Sequence, residues 1–276
     1  MTDLNRRLLD AACEIARDAG RAILEVYGRD DFAVARKSDD SPLTEADQVA
    51  HGIITGALAK LDSALPILSE ESRPAEHATR RSWPRYWLVD PLDGTKECLK
   101  RNGEFTVNIA LVDGQRAVLG AVHAPVLDRM YSGVVGLGAW RSDAGAAPRP
   151  IAVRGTAATP LRVVGSRSHP SPELAAYLAG LPAHEITDMG SSLKICLVAE
   201  GAADVYPRLG PTSEWDTAAA QAILESAGGR MIDLAGRPLR YNSKDDLLNP
   251  HFLAFGDHRR DWLAPIQNTR GLQSRN

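Results

Sequence analysis

The chain has 276 residues, 44% of them apolar, and 32 Lys and Arg against 35 Asp and Glu, for a formal charge of -3. That balance argues against a nucleic-acid coat or a polybasic membrane surface, and the length allows one large domain or two smaller ones with a sizeable core. No stretch approaches the ~20 uncharged apolar residues of a spanning helix, and the N-terminus leads into an amphipathic segment rather than a secretory apolar core.

In chain order, apolar residues recur at Leu8, Ala12, Ile15, Ala16, Ala19 and Ile23, which predicts a helix over residues 4–26 that ends at Gly28. A second stripe from Ala46 to Leu61 follows Thr44-Glu45-Ala46-Asp47, a capping-box pattern. Residues 66–69 and 86–89 read as short buried strands. Residues 105–112 and 116–123 flank Asp113-Gly114, a hairpin signal, and residues 130–135 add another strand. Residues 136–150 turn rich in Gly, Ala, Pro and charge, so a junction is expected there between an N-terminal lobe (1–150) and a C-terminal lobe (151–266). Beyond it the pattern predicts strands at 161–164, 185–186, 204–206, 230–234 and 252–255. Helices are predicted at 172–178, 192–200 and 214–227, the last stopped by Gly228-Gly229. Residues 267–276 read as a frayed polar tail.

Three cysteines, Cys13, Cys98 and Cys196, are far apart and odd in number. They form neither a disulfide framework nor a zinc spacing, and buried thiols in a reducing cytoplasm are expected.

The most informative stretch is Trp87-Leu88-Val89-Asp90-Pro91-Leu92-Asp93-Gly94-Thr95-Lys96-Glu97. An apolar run ends abruptly in two acids, a proline and a glycine, so Asp90 is expected to close the strand and Gly94 to permit a tight turn. Carboxylates that converge on such a corner repel each other and resist desolvation unless a cation sits between them. Further acids lie in similar settings: Glu70 and Glu71 after a strand, Asp216 at the start of a helix, and Asp47 at the start of another. Each has an ordinary reading, as a solvated acid, a helix-dipole partner or part of the capping box.

Order and spacing together say more. Pro-Ile-Leu-Ser-Glu-Glu, then Asp-Pro-Leu-Asp-Gly-Thr, then Trp-Asp-Thr-Ala-Ala resembles the inositol monophosphatase superfamily of metal-dependent, lithium-sensitive phosphatases. Asp90 to Glu97 is closer still to its 3′(2′),5′-bisphosphate nucleotidase branch. The resemblance continues through Lys100 to Asn108, Gly190-Ser191-Ser192-Leu193-Lys194 and Tyr206-Pro207-Arg208, and covers roughly residues 4–255. Cys98 departs from it, since the branch usually has an aromatic there. That leaves the metal site intact and the nearby pocket less defined.

The resemblance implies an α/β fold of alternating α-β-α-β-α layers with the site between two lobes. It implies that Glu70, Asp90 and the Leu92 carbonyl hold one magnesium. Asp90, Asp93 and Asp216 would hold a second. Thr95, hydrogen-bonded to Asp47, would orient the attacking water, with Glu71 supporting from behind. Two or three Mg2+ ions are expected, with Mn2+ as a substitute. The residue chemistry agrees independently, because the candidate ligands are all oxygens with no Cys or His. Divalent ions about 3.5–4 Å apart would reverse the repulsive field that an anionic ester otherwise meets.

On the substrate side, Ser191, Lys194 and Arg208 are implied as nucleotide contacts, together with Gly94, Thr95, Glu70 and Asp216. The Gly165-Ser166-Arg167-Ser168 loop is a candidate for a second phosphate. Lys96 and Glu97 are expected to pair with each other or with the loop, and His123 and His169 to be structural. The implied reaction removes the 3′-phosphate from adenosine 3′,5′-bisphosphate, and from its sulfated precursor, in sulfur metabolism. No nucleic-acid partner and no transmembrane segment are expected. The expected location is cytoplasmic, with attachment at the inner membrane face as an extension, and the oligomeric state stays open. Three alternatives stand beside this reading: an inositol monophosphatase or sugar bisphosphatase with the same metals, a phosphatase using Asp90 as a covalent nucleophile, and a non-catalytic nucleotide- or metal-binding regulator. The motif Asp-Pro-Leu-Asp is one residue too long for the covalent chemistry.

Overall fold

Strand β4 (Arg85–Asp93) shows how the sheets arise. Tyr86 and Leu88 enter one core cluster while Trp87 and Val89 enter another, so the strand is buried on both faces and reads as an unbroken apolar run. The computed structural model describes residues 2–29, 34–36, 42–166 and 171–266.

The first half contains α1 (Thr2–Tyr27), β1 (Val34–Arg36), β2 (Pro42–Thr44), α2 (Glu45–Leu61), β3 (Ile67–Ser69), α3 (His77–Arg80), β4 (Arg85–Asp93) and α4 (Thr95–Leu99). There follow β5 (Thr106–Asp113), β6 (Arg116–Ala124), β7 (Arg129–Val134), β8 (Gly138–Asp143) and β9 (Arg149–Ile151). The second half contains β10 (Leu161–Ser166), α5 (Pro172–Ala179), β11 (His184–Met189), α6 (Leu193–Ala199), β12 (Val205–Arg208), α7 (Ala218–Ser226), β13 (Arg230–Asp233) and β14 (Phe252–Phe255).

A seven-stranded sheet runs β3-β4-β5-β6-β7-β8-β9, antiparallel except for the parallel β3–β4 pair. A five-stranded sheet runs β11-β10-β12-β14-β13, with β10 parallel to both of its neighbours. Helices α1 and α2 bury their apolar stripes on the outer face of the larger sheet. Helices α6 and α7 fill the space between the sheets, and α5 covers the outer face of the smaller one. The order is therefore helix, sheet, helix, sheet, helix, the layered α/β class expected from the sequence. Between the sheets the fit is close: a Cβ at Gly120 in β6 would lie 2.0 Å from the Ala219 carbonyl oxygen of α7. Glycine there lets helix backbone meet sheet backbone.

Four expectations change. Residues 136–150, expected as a loop-like junction, form β8 and most of β9, the last strands of the larger sheet. The strand through Tyr86 does not close at Asp90 but continues to Asp93. The helix expected from residue 214 begins at Ala218, because a turn closed by the Glu214 and Ser213 carbonyls comes first. Asp216 therefore sits in that turn and not in the helix. Short helices α3 and α4 were not foreseen, being too brief to show a period. The 267–276 tail lies outside the described residues. Among the described residues, no helix is long and apolar enough to cross a membrane.

Candidate active site

The corner begins with a register shift. Asp90 pairs with Asn108 and Asp93 with Thr106, so three steps along β4 match two along β5, a one-residue bulge. In a regular strand, residues three apart point to opposite faces. The extra residue restores Asp90 and Asp93 to one face, and Pro91 is tolerated because a bulge does not need its missing N–H. The Leu92 N–H donates to Asp90 Oδ1 at 3.1 Å, and Gly94 turns the chain at φ +94° into α4. Thr95 opens that helix and donates its hydroxyl to the Leu92 carbonyl at 3.4 Å.

Asp216 arrives from the turn before α7, held by the Ser213 N–H on its Oδ2 at 2.9 Å. One carboxylate oxygen each from Asp90, Asp93 and Asp216 lies within 4.8 Å of the others. Glu70 follows β3, with its N–H on the Val89 carbonyl at 3.2 Å, and its side chain lines the same cleft. Glu71 takes a 2.7 Å hydrogen bond from the Gln48 amide. Asp47 is buried in the first turn of α2, and its charge adds to the repulsion felt at Asp90.

The electrostatics follow from this crowding. Burial, then Glu70, then Asp93 and Asp216 hold the Asp90 carboxyl well above the usual carboxylate range. Burial and then Asp93 push Asp216 up to about 8. Burial also raises Asp93, opposed by Lys194 and by the Ser192 N–H. Carboxylates that retain protons so strongly are ones for which a cation is the natural substitute. The donor set is all oxygen, which fits a hard divalent ion such as Mg2+ or Mn2+.

The opposite wall is cationic. Lys194 is buried in α6, its pKa lowered to about 8 by burial against the pull of Asp93, and its ammonium lies 5.6 Å from the Tyr206 ring centroid. Arg208 donates to the Pro211 carbonyl at 2.6 Å and keeps a buried Nε without a hydrogen-bond partner among the described residues. With Ser191, Gly94, Thr95 and Phe252 these residues line a cleft of about 270 Å³ that also holds Glu70, Asp93 and Asp216.

Thus Glu70, Asp93, Gly94, Thr95, Ser191, Lys194, Arg208 and Asp216 share one cleft, with Asp90 buried beneath. Three expectations differ or fall outside. Lys96 is exposed and makes no ion pair among the described residues, while Glu97 is buried beside Gly190; adjacent helix positions do not face each other. Cys98 lies in the core against α1 and α2 and not on the cleft wall, so its departure from the nucleotidase pattern concerns packing. Arg167, Ser168 and His169 lie outside the described residues. His123 is buried with Nδ1 3.2 Å from the Ala16 carbonyl, a structural role, and all three cysteines are free and buried.

Asp93 is held by residues that no sequence motif singles out. Its Oδ2 accepts from the Ser192 N–H at 2.5 Å and from Thr106 and Asn108 at 3.4 Å each, while the Ser192 hydroxyl donates to Asn108 Oδ1 at 2.8 Å. The signal was present: Thr106 and Asn108 are polar at alternate positions of an otherwise apolar strand, on the face that looks toward α6.

A layered α/β scaffold carrying an oxygen-donor site for divalent cations at the junction of its sheets defines the class. Within it, the chain belongs to the inositol monophosphatase family, whose model matches residues 4–264. It is 51% identical to the 3′(2′),5′-bisphosphate nucleotidase CysQ of Escherichia coli K12 over 246 residues, covering 89% of this chain and 98% of that protein. It is 35% identical to the protein of the same name from Haemophilus influenzae over 268 residues, covering 97% and 99%. The crystal structure of CysQ from Bacteroides thetaiotaomicron superposes with a TM-score of 0.80 at 41% identity, covering 92% of this chain and 98% of that one.

Proposed function

We propose that the protein is a magnesium-dependent phosphatase that removes the 3′-phosphate of adenosine 3′,5′-bisphosphate, and of its sulfated precursor, releasing the 5′-nucleotide and phosphate in the cytoplasm. The observation that carries this reading is the convergence of Asp90, Asp93 and Asp216 within 4.8 Å, facing buried Lys194 and Arg208 across one cleft. A bisphosphate needs both halves: a metal site for the ester that breaks and fixed cations for the phosphate that stays. The similarity to proteins named bisphosphate nucleotidase supports the same choice.

On this reading Glu70, Asp90 and the Leu92 carbonyl would hold one ion, and Asp90, Asp93 and Asp216 another, of two or three Mg2+ in all, with Mn2+ able to replace Mg2+. Bound there, the ions supply the positive field that an anionic ester needs and make water a better nucleophile at neutral pH. Thr95 and Asp47 orient the attacking water and take its proton, and Glu71 steadies the shell from behind. Ser191, Lys194 and Arg208 orient the nucleotide, and the rim of α4, including Gly94, lets the phosphate approach the backbone.

The test is phosphate release from a panel of adenosine 3′,5′-bisphosphate, inositol 1-phosphate and fructose 1,6-bisphosphate, with and without Mg2+. The nucleotide is expected to have the highest kcat/KM. A higher value for the inositol ester assigns the family's other chemistry. Nucleotide binding without any phosphate release makes the protein a regulator.

A further inference from the structure

The acids of the cluster come from two parts of the molecule, and nothing in their own chemistry keeps them together. Asp90 and Asp93 belong to the larger sheet and Glu70 directly follows its strand β3, whereas Asp216 belongs to a turn between the sheets. Without a cation these acids either repel one another or keep protons, and neither state draws the two parts together. Some other contact must set the separation.

We infer that Arg80 and Asn242 are positioning residues that clamp the Glu70 side of the cluster to the Asp216 side and thereby set its affinity for a divalent ion. The inference rests on the metal-dependent reading above.

Arg80 ends α3, in the segment that follows Glu70 and Glu71. It is 2% exposed and forms no ion pair among the described residues. Its guanidinium spans two segments: Nε donates to the Ala75 carbonyl at 2.8 Å, Nη1 to Asn242 Oδ1 at 2.7 Å, and Nη2 to the Asp245 carbonyl at 2.6 Å. Asn242 answers by donating its Nδ2 to the Arg80 carbonyl at 2.7 Å, so the pair is reciprocal across 162 residues. Asn242 also holds a left-handed backbone, φ +54°, which asparagine tolerates better than most residues.

From Asn242 the chain of contacts runs to the cluster. The Asn242 N–H donates to Glu214 Oε2 at 2.7 Å, and the Glu214 N–H donates to the Leu247 carbonyl at 2.8 Å. Asn249, farther along the same segment, donates to the Ser213 carbonyl at 2.6 Å and to Thr217 Oγ1 at 3.0 Å. Ser213 in turn holds Asp216. Residues 242–249 are thus a bracket fixed at one end to Arg80 and at the other to the turn that carries Asp216. A buried guanidinium is expensive to desolvate, and an apolar side chain would often be no less stabilising. Only a planar fork, however, can tie three oxygens from two segments in a fixed geometry.

The test uses Asn242→Gly, Arg80→Lys and, as a control, Arg141→Lys. Glycine keeps the left-handed backbone and the N–H to Glu214 but deletes both side-chain bonds to Arg80. Lysine keeps the charge but cannot span three acceptors. Arg141 makes a half-buried arginine–carboxylate pair with Asp143 and Glu200, at 2.8 and 2.6 Å, beyond the far end of α6. Mg2+ binding is measured by calorimetry, and thermal unfolding is followed in EDTA. Losing a direct partner of a metal ligand typically weakens binding 10–100-fold; Arg80 and Asn242 lie farther out, so Asn242→Gly and Arg80→Lys are each expected to raise the Mg2+ dissociation constant by about tenfold, the low end of that range. Arg141→Lys is expected to lower the melting temperature and leave Mg2+ affinity unchanged. If the Arg80 and Asn242 variants melt lower but bind Mg2+ like the wild type, the bracket is only structural and the inference is overturned. If the wild type takes up no Mg2+, the metal reading itself fails and this inference falls with it.

Discussion

The backbone N–H of Ser192 lies 2.5 Å from Asp93 Oδ2, joining the start of α6 to the bulge in β4 across 99 residues. The neighbouring Gly190 makes this approach feasible. Its N–H donates to Glu104 Oε2 at 2.8 Å, and a Cβ there would lie 2.6 Å from the Glu104 carbonyl oxygen and 2.8 Å from Glu97 Cγ. Backbone oxygen cannot move aside as the end of a flexible side chain can. Gly190→Ala is therefore expected to destabilise the protein by about 1–3 kcal/mol and to raise KM by shifting Ser191 and Lys194. Denaturant unfolding and steady-state kinetics check it, and an unchanged KM would show that the turn adapts.

Asp90 is the acid most surrounded by others, and Asp90→Asn removes its charge while its Oδ1 can still accept the Leu92 N–H. Turnover is expected to fall by more than the roughly hundredfold typical of losing an outer-shell partner. The metal-free variant should melt no lower than the wild type, because like-charge repulsion is relieved. A variant that retains turnover would remove Asp90 from the site.

How much of this was legible in the residues differs from feature to feature. The long helices and the β5–β6 hairpin showed clear periods, and the two-residue turn falls at Gly114 and Gln115, both at positive φ. The acids were visible as motifs. Their convergence was not, because Asp90 and Asp93 are three apart on a strand and meet only through the bulge at Pro91-Leu92. The bracket of Arg80 and Asn242 was equally hidden: a single arginine beside a short helix has no local pattern, and its partner lies 162 residues away. Residues 136–150 misled because Gly and Ala suggested a loop where they instead form β8 and lead into β9, the edge of the sheet.

Thr95 donates to the Leu92 carbonyl at 3.4 Å, a long bond at the edge of the cleft. Catalytic hydrogen bonds often tighten only once substrate is bound. On the proposed role, Thr95→Ala is expected to lower kcat more than it raises KM, since it acts on the attacking water. A rise in KM with kcat unchanged would assign Thr95 to binding instead.

His123 provides a pH dependence away from the acids. Burial pushes its pKa down from 6.5 to about 4, with the hydrogen bond to Ala16 acting in the opposite direction. The unfolded chain therefore takes up the proton first. His123 contributes stability above about pH 6.5 that is lost progressively as pH falls toward 4, up to roughly 3 kcal/mol. Urea unfolding of the wild type and His123→Gln at pH 7 and pH 4.5 measures it. The variant should lose less stability on acidification, and equal losses would show that His123 is not the group responsible.

The most direct measurement is phosphate release from adenosine 3′,5′-bisphosphate as a function of free Mg2+, starting from protein exhaustively treated with chelator. The account predicts no release without the ion and a saturable return of activity as it is added back. Undiminished hydrolysis in the chelated protein would contradict it.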